Sequence, residues 1–79
     1  MDIHNLIHMA NRIGEFFQAM PDRAEALEGI ATHIRKFWEP RMRRQLAQHM
    51  DTKGGEGLLP IVQEALTLRR EAAIGGEGR

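Results

Sequence analysis

The chain has 79 residues, which is enough for one domain with a small core and too few for that domain to enclose a catalytic cleft of its own. It contains no cysteine, which excludes disulfides, thiolate metal sites, iron–sulfur clusters and a cysteine nucleophile. Its eleven basic and eleven acidic residues balance, but residues 32–49 carry five basic residues against one acidic residue. This uneven distribution indicates a binding partner.

The sequence offers no segment suited to membrane insertion or export. No apolar run approaches the roughly 18 residues that a transmembrane helix requires. The first residues, Met1-Asp2-Ile3-His4, lack the basic and apolar regions of a signal peptide. We therefore expect a cytoplasmic protein that does not associate with a membrane.

The hydrophobic pattern is helical, and it predicts a first helix over residues 3–19. Asp2 suits the N-cap position, because its carboxylate can accept hydrogen bonds from the free N–H groups of the first turn. Pro21 ends the helix, since the residue before a proline is disfavoured in the helical conformation. One apolar stripe runs through Ile3, Leu6, Met9, Ala10, Ile13, Phe17 and Met20.

A second helix is predicted over residues 22–38. Asp22, followed three positions later by Glu25, resembles a capping box. Pro40 ends the helix by the same steric rule as Pro21. The expected apolar face consists of Ala24, Leu27, Ile30, Ala31, Ile34 and either Phe37 or Trp38.

Two further helices are predicted over residues 40–50 and 58–74, separated by a glycine-rich loop at 51–57. Pro40 suits the first turn of the third helix, where its missing N–H has no intrahelical role. Apolar seams are formed by Met42, Leu46 and Met50 in the third helix, and by Leu58, Leu59, Val62, Ala65 and Leu66 in the fourth, with Arg69 as a further candidate. We therefore expect an all-α fold, a small bundle or array of about four helices forming a single domain over residues 1–74, with a flexible glycine-rich tail at 75–79.

Two small motifs have some features of binding sites but favour structural roles. His4 and His8 have the spacing at which two imidazoles can share a zinc ion, but no glutamate lies between them and no third ligand is evident. The glycines at 54–57 precede a helix, yet no Lys-Ser/Thr follows, and Glu56 stands where an anion would bind. We therefore predict no catalytic, cofactor-binding or metal-binding residue in this chain.

The segment over residues 33–44 is unusual, because it combines five basic side chains with the only tryptophan. Arginine and tryptophan are enriched at the energetic centres of binding sites. Three interpretations remain open: a protein-binding surface, a nucleic-acid-binding surface, or solvated arginines with Phe37 in the core. The candidate partner-binding residues are Arg35, Lys36, Trp38, Pro40, Arg41, Arg43 and Arg44, with Trp38 and Pro40 as rigid apolar anchors.

Three blocks of sequence carry a resemblance to a known family. They are Met9-Ala10-Asn11 followed by Ile13 and Phe16-Phe17; His33 through Trp38 running into Pro40-Arg41-Met42-Arg43; and Gly54-Gly55-x-Gly57-Leu58-x-Pro60 followed by Val62 and Glu64-Ala65. Over about residues 3–74 the chain resembles the delta subunit of the cytoplasmic, NAD-dependent, molybdenum- or tungsten-containing formate dehydrogenases. Glu39 stands where this family often has aspartate, a change that keeps the charge.

The resemblance implies a function as an accessory subunit. Enzymes of this type oxidise formate to carbon dioxide and pass the electrons to NAD. Their alpha subunit holds a bis-molybdopterin guanine dinucleotide and iron–sulfur clusters, and their beta and gamma subunits carry FMN and further clusters. The delta subunit is expected to bind no cofactor and to support the assembly, stability or cofactor retention of the alpha subunit.

These observations lead to one hypothesis and one alternative. The hypothesis is a non-catalytic subunit of an alpha-beta-gamma-delta complex. Its basic segment is expected to contact carboxylates of the alpha subunit or phosphates of the guanine dinucleotide. Neither a nucleic acid nor a membrane is expected as a partner. The alternative is a small nucleic-acid-binding or general protein-interaction module that uses residues 33–44. Made alone, the chain is expected to pair with itself, because tryptophan and methionine side chains of the docking face would otherwise contact water.

Overall fold

Five α-helices connected by short turns make up the part of the chain that the structure, a computed structural model, describes, residues 2–75. They are α1 (Ile3–Phe17), α2 (Arg23–Phe37), α3 (Pro40–Lys53), α4 (Pro60–Leu68) and α5 (Arg70–Ile74). No strand occurs between residues 2 and 75. The prediction of an all-α fold is confirmed.

The two predicted N-caps are both present. The Asp2 carboxylate accepts a hydrogen bond from the His4 N–H at 3.2 Å. The Asp22 carboxylate accepts from the N–H groups of Ala24 at 2.9 Å and Glu25 at 3.3 Å. These bonds satisfy first-turn donors that have no partner within the helix, which explains why α1 and α2 begin beside the predicted residues.

The third helix is longer than predicted, because it continues through residues 51–53 and ends at Gly54. Gly54 has a φ of 65°, the left-handed conformation that glycine adopts without a steric penalty. The helix therefore ends at the first residue that favours this cap rather than at the last apolar residue of its seam.

The predicted fourth helix is two helices, and this part of the prediction was wrong. Arg69 leaves the helical conformation, with φ −122° and ψ 37°, and separates α4 from α5. Beyond the break, α5 packs on α2, and its residues Ala73 and Ile74 are buried. Gly75 ends α5 with a φ of 74°, as predicted, whereas the rest of the predicted tail, residues 76–79, lies outside the described part of the chain.

The core is built around α2, which packs against α1, α4 and α5. Most of the predicted apolar face of α2 is buried, but Ala24 is exposed, because it lies in the first turn at the edge of that face. Burial of Ala26 and Ile61 was not predicted. The largest fully buried side chains are Leu6, Ile30, Ile34, Leu46, Ile61 and Val62.

Helices α1 and α4 approach each other closely at Gly14. Gly14 is buried, and a Cβ atom added there would lie 2.5 Å from Cγ2 of Val62 and 3.3 Å from Cγ2 of Ile61. A glycine in the middle of α1 is unfavourable for the isolated helix. Its presence is explained by the lack of space for a larger residue.

None of the helices in the described range is both long enough and apolar enough to cross a membrane.

Candidate functional site

The basic segment predicted from the sequence forms the turn between α2 and α3, and we call residues 33–44 the basic elbow. The backbone becomes extended at Trp38 (φ −93°, ψ 139°) and remains so at Glu39 (φ −67°, ψ 153°). Pro40 then opens α3 and is exposed. The extended conformation of Glu39 follows from the sequence, because a proline disfavours the helical conformation of the residue before it.

The two aromatic residues of the elbow have opposite environments. Trp38 is 5% exposed and belongs to the core, whereas Phe37 is 70% exposed. In this conformation Trp38 is therefore not an exposed anchor, and the alternative that places Phe37 in the core is also wrong. Helical periodicity could not decide between them, because the chain leaves the helix at Trp38.

Two of the five basic side chains hydrogen-bond to helix carbonyls. Arg43 Nη1 donates to the carbonyl oxygen of Arg35, near the end of α2, at 2.7 Å. Arg35 Nη1 donates to the carbonyl oxygen of Glu71 at 3.4 Å, and its guanidinium lies against Gly75 at the end of α5. Cations at helix C-termini satisfy free carbonyls and interact favourably with the helix dipole. Arg35 and Arg43 thus help to hold the elbow and α5 in place.

The other three basic side chains face solvent. Lys36, Arg41 and Arg44 are exposed and have no hydrogen-bond or ion-pair partner among residues 2–75. Arg41 and Arg44 are three residues apart on α3, which makes them neighbours on one helix face.

The positive charge of the elbow is not neutralised by carboxylates elsewhere in the described chain. The ion pairs found there join other residues: Arg23 with Glu64, Arg69 with Glu28, and Arg70 with Asp51. Within the elbow, Glu39 is the single carboxylate beside the five basic residues. The elbow therefore places a concentrated positive charge on the surface of the described chain.

An apolar surface not predicted from the sequence lies on the outer side of α1 and α2, and we call it the aromatic face: Ile13, Phe16, Phe17, His33 and Phe37. Phe16 is 73% exposed, and its ring meets that of Phe17 edge-on at 5.0 Å. The rings of His33 and Phe37 are 4.7 Å apart. A hollow of about 340 Å³ is lined by Ile13, Phe16, Phe17 and His33, with Arg12. The sequence feature that could have predicted the aromatic face is Phe16, a large apolar residue outside the apolar stripe of α1.

The glycine-rich turn between α3 and α4 is held by three side chains. Asn11 of α1 donates to the Gly57 carbonyl at 3.0 Å and accepts from the Leu59 N–H at 2.9 Å. Gln63 donates to the Gly55 carbonyl at 2.8 Å. A ring nitrogen of His49 lies 2.8 Å from the Glu56 carbonyl oxygen. This arrangement fits the interpretation of the segment as a structural turn.

Within the described residues, no group of three or more His, Cys, Asp or Glu side chains could hold a metal ion. His4 and His8 are both exposed on α1.

Comparison with known proteins identifies the family. A family model described as "NADH-dependant formate dehydrogenase delta subunit FdsD" matches residues 5–66, a range that contains the basic elbow, the aromatic face and the glycine turn. No curated protein and no solved structure shows significant similarity to the chain. The family match confirms the resemblance drawn from the three sequence blocks. The chain belongs to the family of delta subunits of NADH-dependent formate dehydrogenase.

Proposed function

We propose that this chain is a non-catalytic accessory subunit of an NAD-dependent formate dehydrogenase, that it binds the catalytic alpha subunit, and that it supports the assembly, stability or molybdenum-cofactor retention of that subunit. Family membership supports a place in a formate dehydrogenase. In this proposal the complex is cytoplasmic and has alpha, beta, gamma and delta subunits. The oxidation of formate, the bis-molybdopterin guanine dinucleotide, the iron–sulfur clusters and FMN all belong to the other subunits.

The observation that carries the proposal is the unneutralised charge of the basic elbow. Guanidinium groups form planar, paired hydrogen bonds with carboxylates, and Arg41 and Arg44 are free to do so. We propose that Lys36, Arg41 and Arg44 contact the alpha subunit directly. Arg35 and Arg43 contribute by shaping the elbow, since they bond to the carbonyls of Glu71 and Arg35.

Charge reversal on α3 tests the docking surface. We expect Arg41→Glu combined with Arg44→Glu to reduce co-purification of the alpha subunit with the tagged chain at least tenfold, because two attractive contacts become repulsive. Folding should be unaffected, since both residues are exposed and glutamate near the start of a helix is favourable. The matched control is Lys53→Glu, an exposed lysine at the other end of the same helix, which should leave co-purification unchanged.

Two results would contradict this assignment. Unchanged co-purification of the double variant would mean that the docking surface lies elsewhere. Capture of DNA or RNA instead of the alpha subunit, with an affinity that falls steeply with salt, would favour the nucleic-acid-binding module.

Removal of the chain tests the accessory role. In cells that lack it, we expect low formate oxidation together with a reduced amount of alpha subunit or a reduced molybdenum content per alpha subunit. A reduced amount of alpha subunit indicates a role in assembly or stability. A normal amount with little molybdenum indicates a role in cofactor retention. A dehydrogenase that is fully assembled, metallated and active without this chain would refute the proposal.

A further inference from the structure

We infer that the aromatic face is a second docking surface, and that it receives a large apolar side chain from an acidic segment of the alpha subunit. The inference rests on the proposed function and names the surface and the chemistry of the contact. It differs from the charged contact at the basic elbow, because it depends on apolar area that the fold of this chain leaves in water.

The exposure of the aromatic face is not explained by folding. Three large apolar side chains are strongly exposed in the described chain: Phe16 at 73%, Phe37 at 70% and Leu68 at 57%. Single exposed apolar residues are common and require no explanation. Phe16 and Phe37, however, lie at the two ends of one surface, linked through the Phe17 and His33 rings. A contiguous apolar surface of this kind is typical of an interaction site.

The hollow within this surface is suited to a side chain. Its volume of about 340 Å³ gives room for one large aliphatic or aromatic group, and Ile13, Phe16 and Phe17 supply apolar walls. The Phe17 ring rests on Gly29 of α2, where an added Cβ atom would overlap it. Apolar surface hollows that accept one anchoring side chain are a common feature of binding hot spots.

The charges around the hollow favour an acidic partner over a second copy of this chain. Arg12, which is exposed and has no ion-pair partner among residues 2–75, lines the hollow, and the aromatic face shares His33 and Phe37 with the positively charged basic elbow. In a two-fold dimer both sides of the interface are this same surface, so its positive charge would meet a surface of the same charge. Trp38, one of the residues that self-association was expected to cover, is already buried in the core. A segment of the alpha subunit with an apolar residue flanked by Asp or Glu would fill the hollow with the apolar side chain and place the carboxylates near the positive charge beside it.

Co-purification with matched serine substitutions provides the first test. Burial of one phenylalanine side chain accounts for roughly tenfold or more in affinity. We therefore expect Phe16→Ser combined with Phe37→Ser to weaken binding of the alpha subunit by about a hundredfold. Leu68→Ser, which removes the third exposed apolar side chain from α4, should bind as the wild type does. Circular dichroism of each variant establishes that its helix content is retained.

The outcomes separate this inference from the proposed function. If the wild type binds the alpha subunit and the double serine variant binds equally well, the inference is wrong and the proposed function stands. If the wild type does not bind the alpha subunit, the proposed function fails and the inference fails with it.

Photo-cross-linking tests the occupant itself and requires no destabilising substitution. A benzophenone analogue of phenylalanine at position 37 should cross-link to a peptide of the alpha subunit in which an apolar residue lies next to Asp or Glu. The same group at position 68 should not cross-link. A cross-link from position 37 to another copy of this chain, or to a segment of the alpha subunit without acidic residues, would overturn the inference.

Discussion

Replacing Gly14 by alanine sets two opposing effects against each other, and their magnitudes decide the outcome. Alanine is favoured over glycine in a helix interior by about 1 kcal/mol, so an isolated α1 would become more stable. In the folded chain, however, the new Cβ atom would lie 2.5 Å from Cγ2 of Val62. Favourable contacts between carbon atoms require about 3.5–4.0 Å. Alanine therefore strengthens the helix and overcrowds the contact between α1 and α4.

The overcrowding should prevail, because neither neighbour can move aside. Val62 is fully buried and β-branched, so its rotamer in a helix is restricted. Ile61 is 2% exposed, and its Cγ2 atom would lie 3.3 Å from the same Cβ. Overpacking of a core costs about 1–3 kcal/mol, and an overlap of this size belongs at the upper end. After the helix-propensity gain is subtracted, we expect Gly14→Ala to reduce the free energy of unfolding by about 2 kcal/mol.

Thermal unfolding followed by circular dichroism measures this effect. For a domain of this size each kcal/mol shifts Tm by about 4–8 °C, so Tm should fall by roughly 8–16 °C. Gly29→Ala is the matched control, because Gly29 also lies inside a helix but faces the half-buried Phe17 ring, which can swing into solvent. Its stability should stay within about 1 kcal/mol of the wild type, since the gain in helix propensity offsets the lost ring contact. An unchanged or raised Tm for Gly14→Ala would refute the close packing of α1 on α4.

Two further predictions concern single polar contacts. Asn11→Ala should lower the free energy of unfolding in urea by about 1–3 kcal/mol, because it leaves the part-buried N–H of Leu59 and the carbonyl of Gly57 without their bonds; unchanged stability would contradict the role of Asn11 in holding the glycine turn. The hydrogen bond from Arg70, aided by its positive charge, holds the pKa of Asp51 below its ordinary value of 3.8. A lowered pKa stabilises the folded state above the unfolded pKa and loses that effect as the pH falls through the folded value. Asp51→Asn should therefore be less stable than the wild type at pH 7, and the difference should begin to shrink as the pH falls below about 4 and vanish only below the folded-state pKa; a difference independent of pH in the same unfolding assay would contradict the pairing.

The helices that the sequence predicted well are those whose ends are determined locally. Asp2 and Asp22 cap their helices through bonds to residues two or three positions ahead, so neighbouring sequence contains the whole signal. The break at Arg69 has no such signal. It is associated with a contact between distant elements, since Arg69 Nε bonds to Glu28 of α2 at 3.0 Å and α5 packs on that same helix. Periodicity alone could not reveal it.

The composition of the sequence located the candidate site. It did not show which basic side chains bond to helix carbonyls and which face solvent. Five basic residues in one segment indicated a binding surface, and nothing in their spacing distinguished Arg43, which bonds to the Arg35 carbonyl, from Arg44, which has no hydrogen-bond or ion-pair partner among residues 2–75. That distinction depends on where α3 places each side chain relative to the end of α2. Likewise, the extended backbone at Trp38 determines that Trp38 is buried and Phe37 exposed, and helical periodicity does not reveal it.

This division of roles determines which substitutions can report on docking. Arg43→Glu would remove the bond that satisfies the Arg35 carbonyl at the end of α2, so a loss of binding would combine a change in shape with a change in charge. Arg41 and Arg44 lack any such bond in the described chain, so reversing their charge alters only what a partner meets. A partner that recognises charge alone should lose a similar amount of affinity whichever of these arginines is replaced by glutamate. A partner that also uses the aromatic face should be more sensitive to Arg43, because the end of α2 carries Phe37 as well.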